Sequence, residues 1–364
     1  VRVSFIIDLT RARRPPMPDS NKIIVSWLAV VCATIFTMIV VGGITRLTGS
    51  GLSMVEWRPI MGTLPPLNAA EWQLAFEAYQ QYPQYQLENH HMDLAAFKSI
   101  FYWEYGHRLL GRLIGLIYFV PFVLLWASGQ IKKPLVPKLL LGLALGGLQG
   151  LMGWYMVKSG LVDMPRVSHF RLAAHLLLAL SIFAYLFWLI LHLIEIKRES
   201  FVANGIKPLI YGFAVCLGLQ LTWGAFTAGS HAGIGYNTFP LMNDQWIAEA
   251  VFSMEPWWLS LFESTATIQF VHRWLGALVL ILVAIIWIRS LIGDSRQVRW
   301  AASMVFFATL VQFGLGVFTL IHIVPIGLAS LHQAWACVLL LSAVYLVYVV
   351  RKPIESIDLV RATP

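Results

Sequence analysis

Four of the ten histidines in this 364-residue chain sit where an imidazole is costly to keep. His107, His175, His272 and His332 each lie about seven or eight residues inside one end of a long apolar segment. At 1.5 Å per helical residue that is about 10–12 Å deep, the same depth for all four. The other six (His90, His91, His169, His192, His231 and His322) fall in polar loops or at segment ends and read as solvated or interfacial side chains. Ionisable groups inside a membrane are rare and default to function. Imidazoles facing each other from two helices of a bundle hold a haem iron from both sides. His107 with His175, and His272 with His332, therefore predict two haem sites. Zinc would want three or four ligands. Each half offers two well-placed histidines, and Cys32, Cys216 and Cys337 all lie inside apolar runs, away from them.

Arginines accompany these histidines. Arg108 and Arg273 follow His107 and His272 directly, and Arg112 and Arg171 lie one helical turn from His107 and His175. Haem propionates need cationic partners at the aqueous end of a pocket, and guanidinium forks suit carboxylates. For Arg112 and Arg171 the competing reading is snorkelling to lipid headgroups. One acid stands apart. Glu104 precedes His107 by three residues, on the same helix face at about 5–6 Å, and the same slot in the second half is Gln269. An acid inside a membrane costs roughly 2.5–3.5 kcal/mol on insertion scales. Present in one copy only, it marks the first half as the reactive site and the second as a fixed cofactor site. The competing reading is a plain ion pair with Arg108 or Arg112.

The elements that must carry these residues are membrane helices. The chain is 58% hydrophobic and 12% charged, with a mean hydropathy of +0.71. A soluble domain carries about 45–50% apolar and about 25% charged residues, so a water-soluble globule, a disordered chain and a nucleic-acid partner are excluded. Eight apolar segments, near 23–45, 100–127, 135–157, 167–194, 207–228, 265–290, 298–322 and 326–350, each reach the roughly 20 residues a span needs. None alternates as a barrel strand would. The fold class is an all-α polytopic membrane protein. With the N-terminus inside, the inner loops and tails carry 17 of the 26 Lys and Arg, so both termini are placed in the cytoplasm. Trp57, Trp72, Trp103, Trp257 and Trp258 then mark the outer interface. Glycines 142, 146 and 150 form a small-residue stripe suited to close packing. Gln149, Gln220, Gln312 and Gln333 read as interhelical hydrogen-bond formers. No phosphate loop, dinucleotide fingerprint or HExxH is present.

The chain also repeats itself. Gly42-Gly43-Ile44-Thr45 returns as Gly224-Ala225-Phe226-Thr227, and Gly51 as Gly233. Pro59-Ile60-Met61 returns as Pro240-Leu241-Met242, and His107-Arg108-Leu109-Leu110-Gly111 as His272-Arg273-Trp274-Leu275-Gly276. Gln149, Gly153 and His175 return as Gln312, Gly316 and His332. Two parallel four-helix bundles are expected: 23–200, with a long outer loop 46–99 and a short helix from Ala69 to Gln80, and 201–350. Residues 1–22 and 351–364 are cytoplasmic tails. The first helix reads as uncleaved. A leader of 22 residues, poor in Ser, favours the bacterial inner membrane over the mitochondrial one.

At Gly42 through Met54, Phe101-Tyr102-Trp103-Glu104-Tyr105-Gly106-His107-Arg108, Gly153 through Leu161, Tyr236 through Met242 and Phe270 through Gly276, the chain resembles the haem A synthase family of mitochondria and proteobacteria. The resemblance runs from about residue 22 to 350. It implies conversion of haem O to haem A by oxidising the C8 methyl to a formyl group. It also implies haem B in the C-terminal half with His272 and His332 as axial ligands. Haem O would dock near His107 and His175, with Glu104 at the position of the essential acid. Implied partners are a haem O-forming prenyltransferase, the cytochrome c oxidase assembly machinery, membrane lipid and an electron acceptor that no motif names; a homo-oligomer is admissible. Some members carry a cysteine pair in the first outer loop, which loop 46–99 lacks. The alternative activity is that of a two-haem electron carrier of the cytochrome b kind, which gives no reason for Glu104 against Gln269.

Overall fold

The computed structural model describes residues 19–56, 64–161, 164–194, 205–293 and 295–351. Trp57, the Pro59-Ile60-Met61 copy of the repeat and most of both tails lie outside the described residues. Helices run as α1 (Asp19–Leu47), α2 (Ala69–Gln80), α3 (Leu94–Ala127), α4 (Val136–Lys158), α5 (His169–Leu193), α6 (Ile206–Gly229), α7 (Ser260–Glu263), α8 (Thr265–Ile292), α9 (Arg296–Ile321) and α10 (Ile326–Val350). Eight of these, all but α2 and α7, are long and apolar enough to cross a membrane. The described residues form no strand beyond an isolated bridge between Met242 and Gln245.

Local chemistry sets the helix starts. Asn68 caps α2 by accepting from the Glu71 amide at 2.9 Å, while the Glu71 carboxylate accepts from the Leu67 amide at 2.7 Å. Asp93 caps α3 through the Ala96 amide at 2.8 Å, and Ser295 caps α9 through Val298 at 3.2 Å. The short helix expected over Ala69 to Gln80 has those bounds. Helix α3 departs from expectation by starting at Leu94, six residues ahead of the apolar segment. Its extra turns are stabilised from outside, where Phe97, Ile100 and Phe101 pack on Trp72, Phe76 and Tyr79 of α2. That aromatic cluster, and not lipid, pays for the extension.

Two apolar cores follow the two repeats. One joins α1, α3, α4 and α5 through Leu28, Tyr118, Phe122, Leu139 and Leu186; the other joins α6, α8, α9 and α10 through Phe213, Val283, Ile286, Val305 and Leu346. Helices α1, α5, α6 and α10 make the contacts between the halves, with α3–α4 and α8–α9 flanking them. Gln333 on α10 crosses to α1, donating to the Ile39 carbonyl at 2.8 Å. The pseudo-equivalent contact is apolar, Leu176 of α5 packing in a cluster with Ala225 of α6. The Arg46 guanidinium reaches the carbonyl of Ala228, its own counterpart 182 residues on.

The glycine stripe on α4 packs at one point only. A Cβ at Gly142 would collide with the Tyr118 hydroxyl, whereas nothing lies within 4 Å at Gly146 or Gly150. The expectation of close packing holds at Gly142, where Tyr118 donates to the Leu139 carbonyl at 2.8 Å. The other two glycines face open space.

Candidate functional site

Each of the four singled-out histidines rests on a glycine. His107 on α3 lies against Gly42 of α1, and His175 on α5 against Gly153 of α4. His272 on α8 lies against Gly224 of α6, and His332 on α10 against Gly316 of α9. A Cβ at Gly42 would stand 2.9 Å from its ring, and at Gly153, Gly224 or Gly316 3.0 Å. Carbon contacts prefer about 3.5–4.0 Å, so glycine is what lets each imidazole sit so close to the neighbouring helix. The side-chain nitrogens of Gln149 and Gln312 approach Nε2 of His175 and His332, each at 3.3 Å.

These pockets leave donor atoms over. Nδ1 of His175, of His272 and of His332 is buried without a hydrogen-bond partner, although buried polar groups are normally paired. Among the described residues no three His, Cys, Asp or Glu side chains gather as metal ligands, so no zinc-type site is assembled. Two imidazoles per half, from separate helices, each bedded on a glycine and three of the four with a ring nitrogen to spare, fit the axial requirements of a haem iron. Sequence reading paired the histidines but missed the glycines beneath them. Their signal was present, because Gly42 and Gly153 recur as Gly224 and Gly316 in the duplication.

Above each histidine pair, at the end of the bundle where α1 and α6 terminate, a tight turn closes the site. In the first half it is Ser50–Leu52, entered through Gly49 at φ 67°; in the second it is Ala232–Ile234, entered through His231 at φ 58°. The next stretch is pinned by an arginine in both copies. Arg108 donates to the carbonyls of Met54 at 2.9 Å and Glu56 at 3.2 Å. Arg273 donates to Tyr236, to Thr238 at 2.8 Å and to Leu241 at 3.1 Å. Both guanidiniums thus hold backbone, a role the propionate reading did not include. Arg171 stacks on Tyr155, 3.8 Å from the ring centroid, and donates to its carbonyl at 2.9 Å. Arg112 lies partly buried one turn beyond Arg108.

Position 104 and its counterpart 269 break the symmetry. Glu104 is 3% exposed and its Oε1 accepts from Arg108 Nε at 2.6 Å. The partner is Arg108, of the two the sequence offered. Its Oε2 faces the turn, 4.0 Å from where a Cβ on Gly51 would be. Gln269, 2% exposed, accepts from Arg273 at 3.2 Å and donates upward to the carbonyls of Ala232 at 2.9 Å and Gly235 at 2.5 Å. The same frame therefore holds a neutral, donating amide in one half and an accepting carboxylate in the other.

A family model described as COX15-CtaA, cytochrome oxidase assembly protein, matches residues 25–344. The chain belongs to the COX15-CtaA family. Its similarity to curated members is high and nearly end to end. It is 45% identical over 337 residues to a protein of Nitrosospira multiformis named Heme A synthase, covering 91% of this chain and 94% of that one. Proteins of the same name in Rhodospirillum centenum and Parvibaculum lavamentivorans are 43% and 44% identical, each over 91% of this chain, and over 89% and 95% of their own lengths. For this COX15-CtaA chain, the matched span contains all four histidines, Glu104 and Gln269.

Proposed function

We propose that the protein is a haem A synthase, oxidising the C8 methyl of haem O to a formyl group in two successive hydroxylations. The asymmetry between Glu104 and Gln269 within an otherwise duplicated site carries this reading, supported by the names of the relatives. Haem O is the substrate, taken between His107 and His175. Haem B is the resident cofactor, for which His272 and His332 are the ligands; when bound it supplies reversible one-electron chemistry. The overall change turns CH3 and one H2O into CHO, four protons and four electrons. Were His107 and His175 both to hold the substrate's iron, dioxygen would have no free position on it, which favours water as the oxygen source.

The chain's own groups then have defined tasks. The Glu104 carboxylate, beside His107 and dry, accepts protons released as the methyl carbon is oxidised and water adds. Arg108 holds that carboxylate through Nε and the overlying backbone through its two terminal nitrogens, fixing the base against the turn. Gln269 holds the second site closed and brings no base to it. The four electrons go to an external acceptor, and a haem held by His272 and His332 would supply one-electron chemistry for passing them on. A prenyltransferase that makes haem O and the cytochrome c oxidase assembly machinery are the expected partners, and a bacterial inner membrane the expected location, with both termini cytoplasmic.

The test is to purify the protein from a host that also makes haem O and identify its extracted haems by chromatography and mass. Haem A or the hydroxymethyl intermediate beside haem B is the expected result. Haem B alone, with haem O available in the membrane, would overturn the reading in favour of the two-haem electron carrier.

A further inference from the structure

The two turns that roof the histidine pairs correspond from Gly49 to Leu52 and from His231 to Ile234, part at the next residue, where Ser53 is helical at φ −73°, ψ −27° and Gly235 extended at φ −90°, ψ 159°, and are held by different means. In the C-terminal half Gln269 supports the turn from below, through the carbonyls of Ala232 and Gly235. The corresponding carbonyls in the N-terminal half belong to Ser50 and Ser53. Glu104 beneath them carries no N–H to offer when ionised, and a carboxylate oxygen set against carbonyl oxygens repels them. The turn nevertheless keeps its shape, with the Ser53 amide donating to the Ser50 carbonyl at 3.0 Å. Its added support comes from above. Gln84, in the loop between α2 and α3 and 6% exposed, donates from Nε2 to the Gly49 carbonyl at 2.8 Å. Gln84 is itself oriented: Tyr79, fully buried on α2, donates to its Oε1 at 3.0 Å, and Asn89 donates to the Tyr79 hydroxyl at 2.7 Å. The hydroxyls of Ser53, donating to the Ile100 carbonyl at 3.3 Å, and of Ser50, 2.6 Å from Thr48, add to it where the other copy has Gly235 and Ala232.

We infer that Gln84 is a positioning residue: with Tyr79 it holds from the loop side the turn whose counterpart in the other half Gln269 holds from the helix side, and so frees position 104 to be an acid. The catalytic purpose of that arrangement rests on the proposed function, whereas the division of support between 84 and 104 does not. Gln84 donates to the Gly49 carbonyl, and an amide at 104 would stand beneath the adjacent Ser50 carbonyl as Gln269 stands beneath Ala232, so a donor on either side can hold the turn when the other is absent.

Amide hydrogen exchange of residues 48–54 tests this in the purified, haem-loaded protein in lipid nanodiscs. Gln84→Leu should speed exchange of that segment about fivefold, the order expected for one lost hydrogen bond, with residues 230–236 unchanged. Adding Glu104→Gln to it should return the rate to within about twofold of wild type, because the new amide supports the turn from below. A Gln84 that merely stabilised its own loop would not be rescued from across the turn. Tyr79→Phe, which leaves the ring packing intact, gives the same pattern at smaller amplitude and serves if Gln84→Leu does not fold. Unchanged exchange in Gln84→Leu or in Tyr79→Phe, or fast exchange persisting in the double variant, overturns the inference. Haem conversion, lowered by Glu104→Gln under the proposed function, is read separately and bears on that reading alone.

Discussion

A carboxylate and a carboxamide have nearly the same shape and differ in whether one end can donate. At 104 and 269 that difference decides what the site above can do. Glu104→Gln should lower haem O conversion about 100-fold or more, the span of a lost general base, while haem B extracted per protein stays constant. Full conversion in that variant would remove the base from the mechanism. The glycine beds make a second prediction. Gly316→Val should push the His332 ring off its position and lower haem B content several-fold with haem O binding retained, read from the two extracted haems. His231 gives a pH signature outside the membrane spans. Burial first, then Arg46 and Arg166, hold its pKa down at about 4, against 6.5 for the free side chain. A lowered folded pKa means its contribution to stability is whole above pH 6.5 and is lost as pH falls toward 4. Wild type should therefore lose more Tm between pH 7 and pH 4.5 than His231→Asn, a residue that also tolerates the positive φ. The four histidines and Glu104 were legible in the sequence because polar groups in apolar runs are few. Gln84 was not, being one of five glutamines between 73 and 86 with no spacing to distinguish it.

At the scale of elements, the spans were legible to within a few residues because length and apolarity alone define them. The start of α3 was not, since its first two turns are helical for a reason that lies elsewhere in the chain. Trp72 meets Phe101 edge-on at 5.0 Å and Phe97 at 6.5 Å, making α2 a bracket for those turns. Trp72→Ala should cost about 3–5 kcal/mol of local stability. Its signature is faster amide exchange across 69–101 while the inner core around Phe122 and Leu186 keeps its protection. Equal loosening of both regions would show that α2 supports the whole bundle instead. The stripe on α4 illustrates the opposite failure. Three glycines at a spacing of four looked equivalent, but helix axes diverge, and only Gly142 lies where Tyr118 arrives.

For the whole molecule, the duplication was readable from motif offsets, yet the way the halves meet was not, because it depends on four helices drawn from both. The proposed orientation predicts that reporter fusions after residue 351 and ahead of residue 19 both report the cytoplasm, and one after Gln245 the opposite side. The contact between Arg46 and Ala228 has a consequence for descent. Repeat mates that touch must straddle the axis relating the two copies. In a homodimer of half-length chains that spot would press arginine against arginine, since an isologous interface obliges both partners to present the same residue. Joining the halves in one gene lifts that obligation, at this contact and at 104 and 269 alike. A division of labour between one bench where the substrate is worked and another that only conducts is forbidden to an exact dimer by its own symmetry, and open to a fused one.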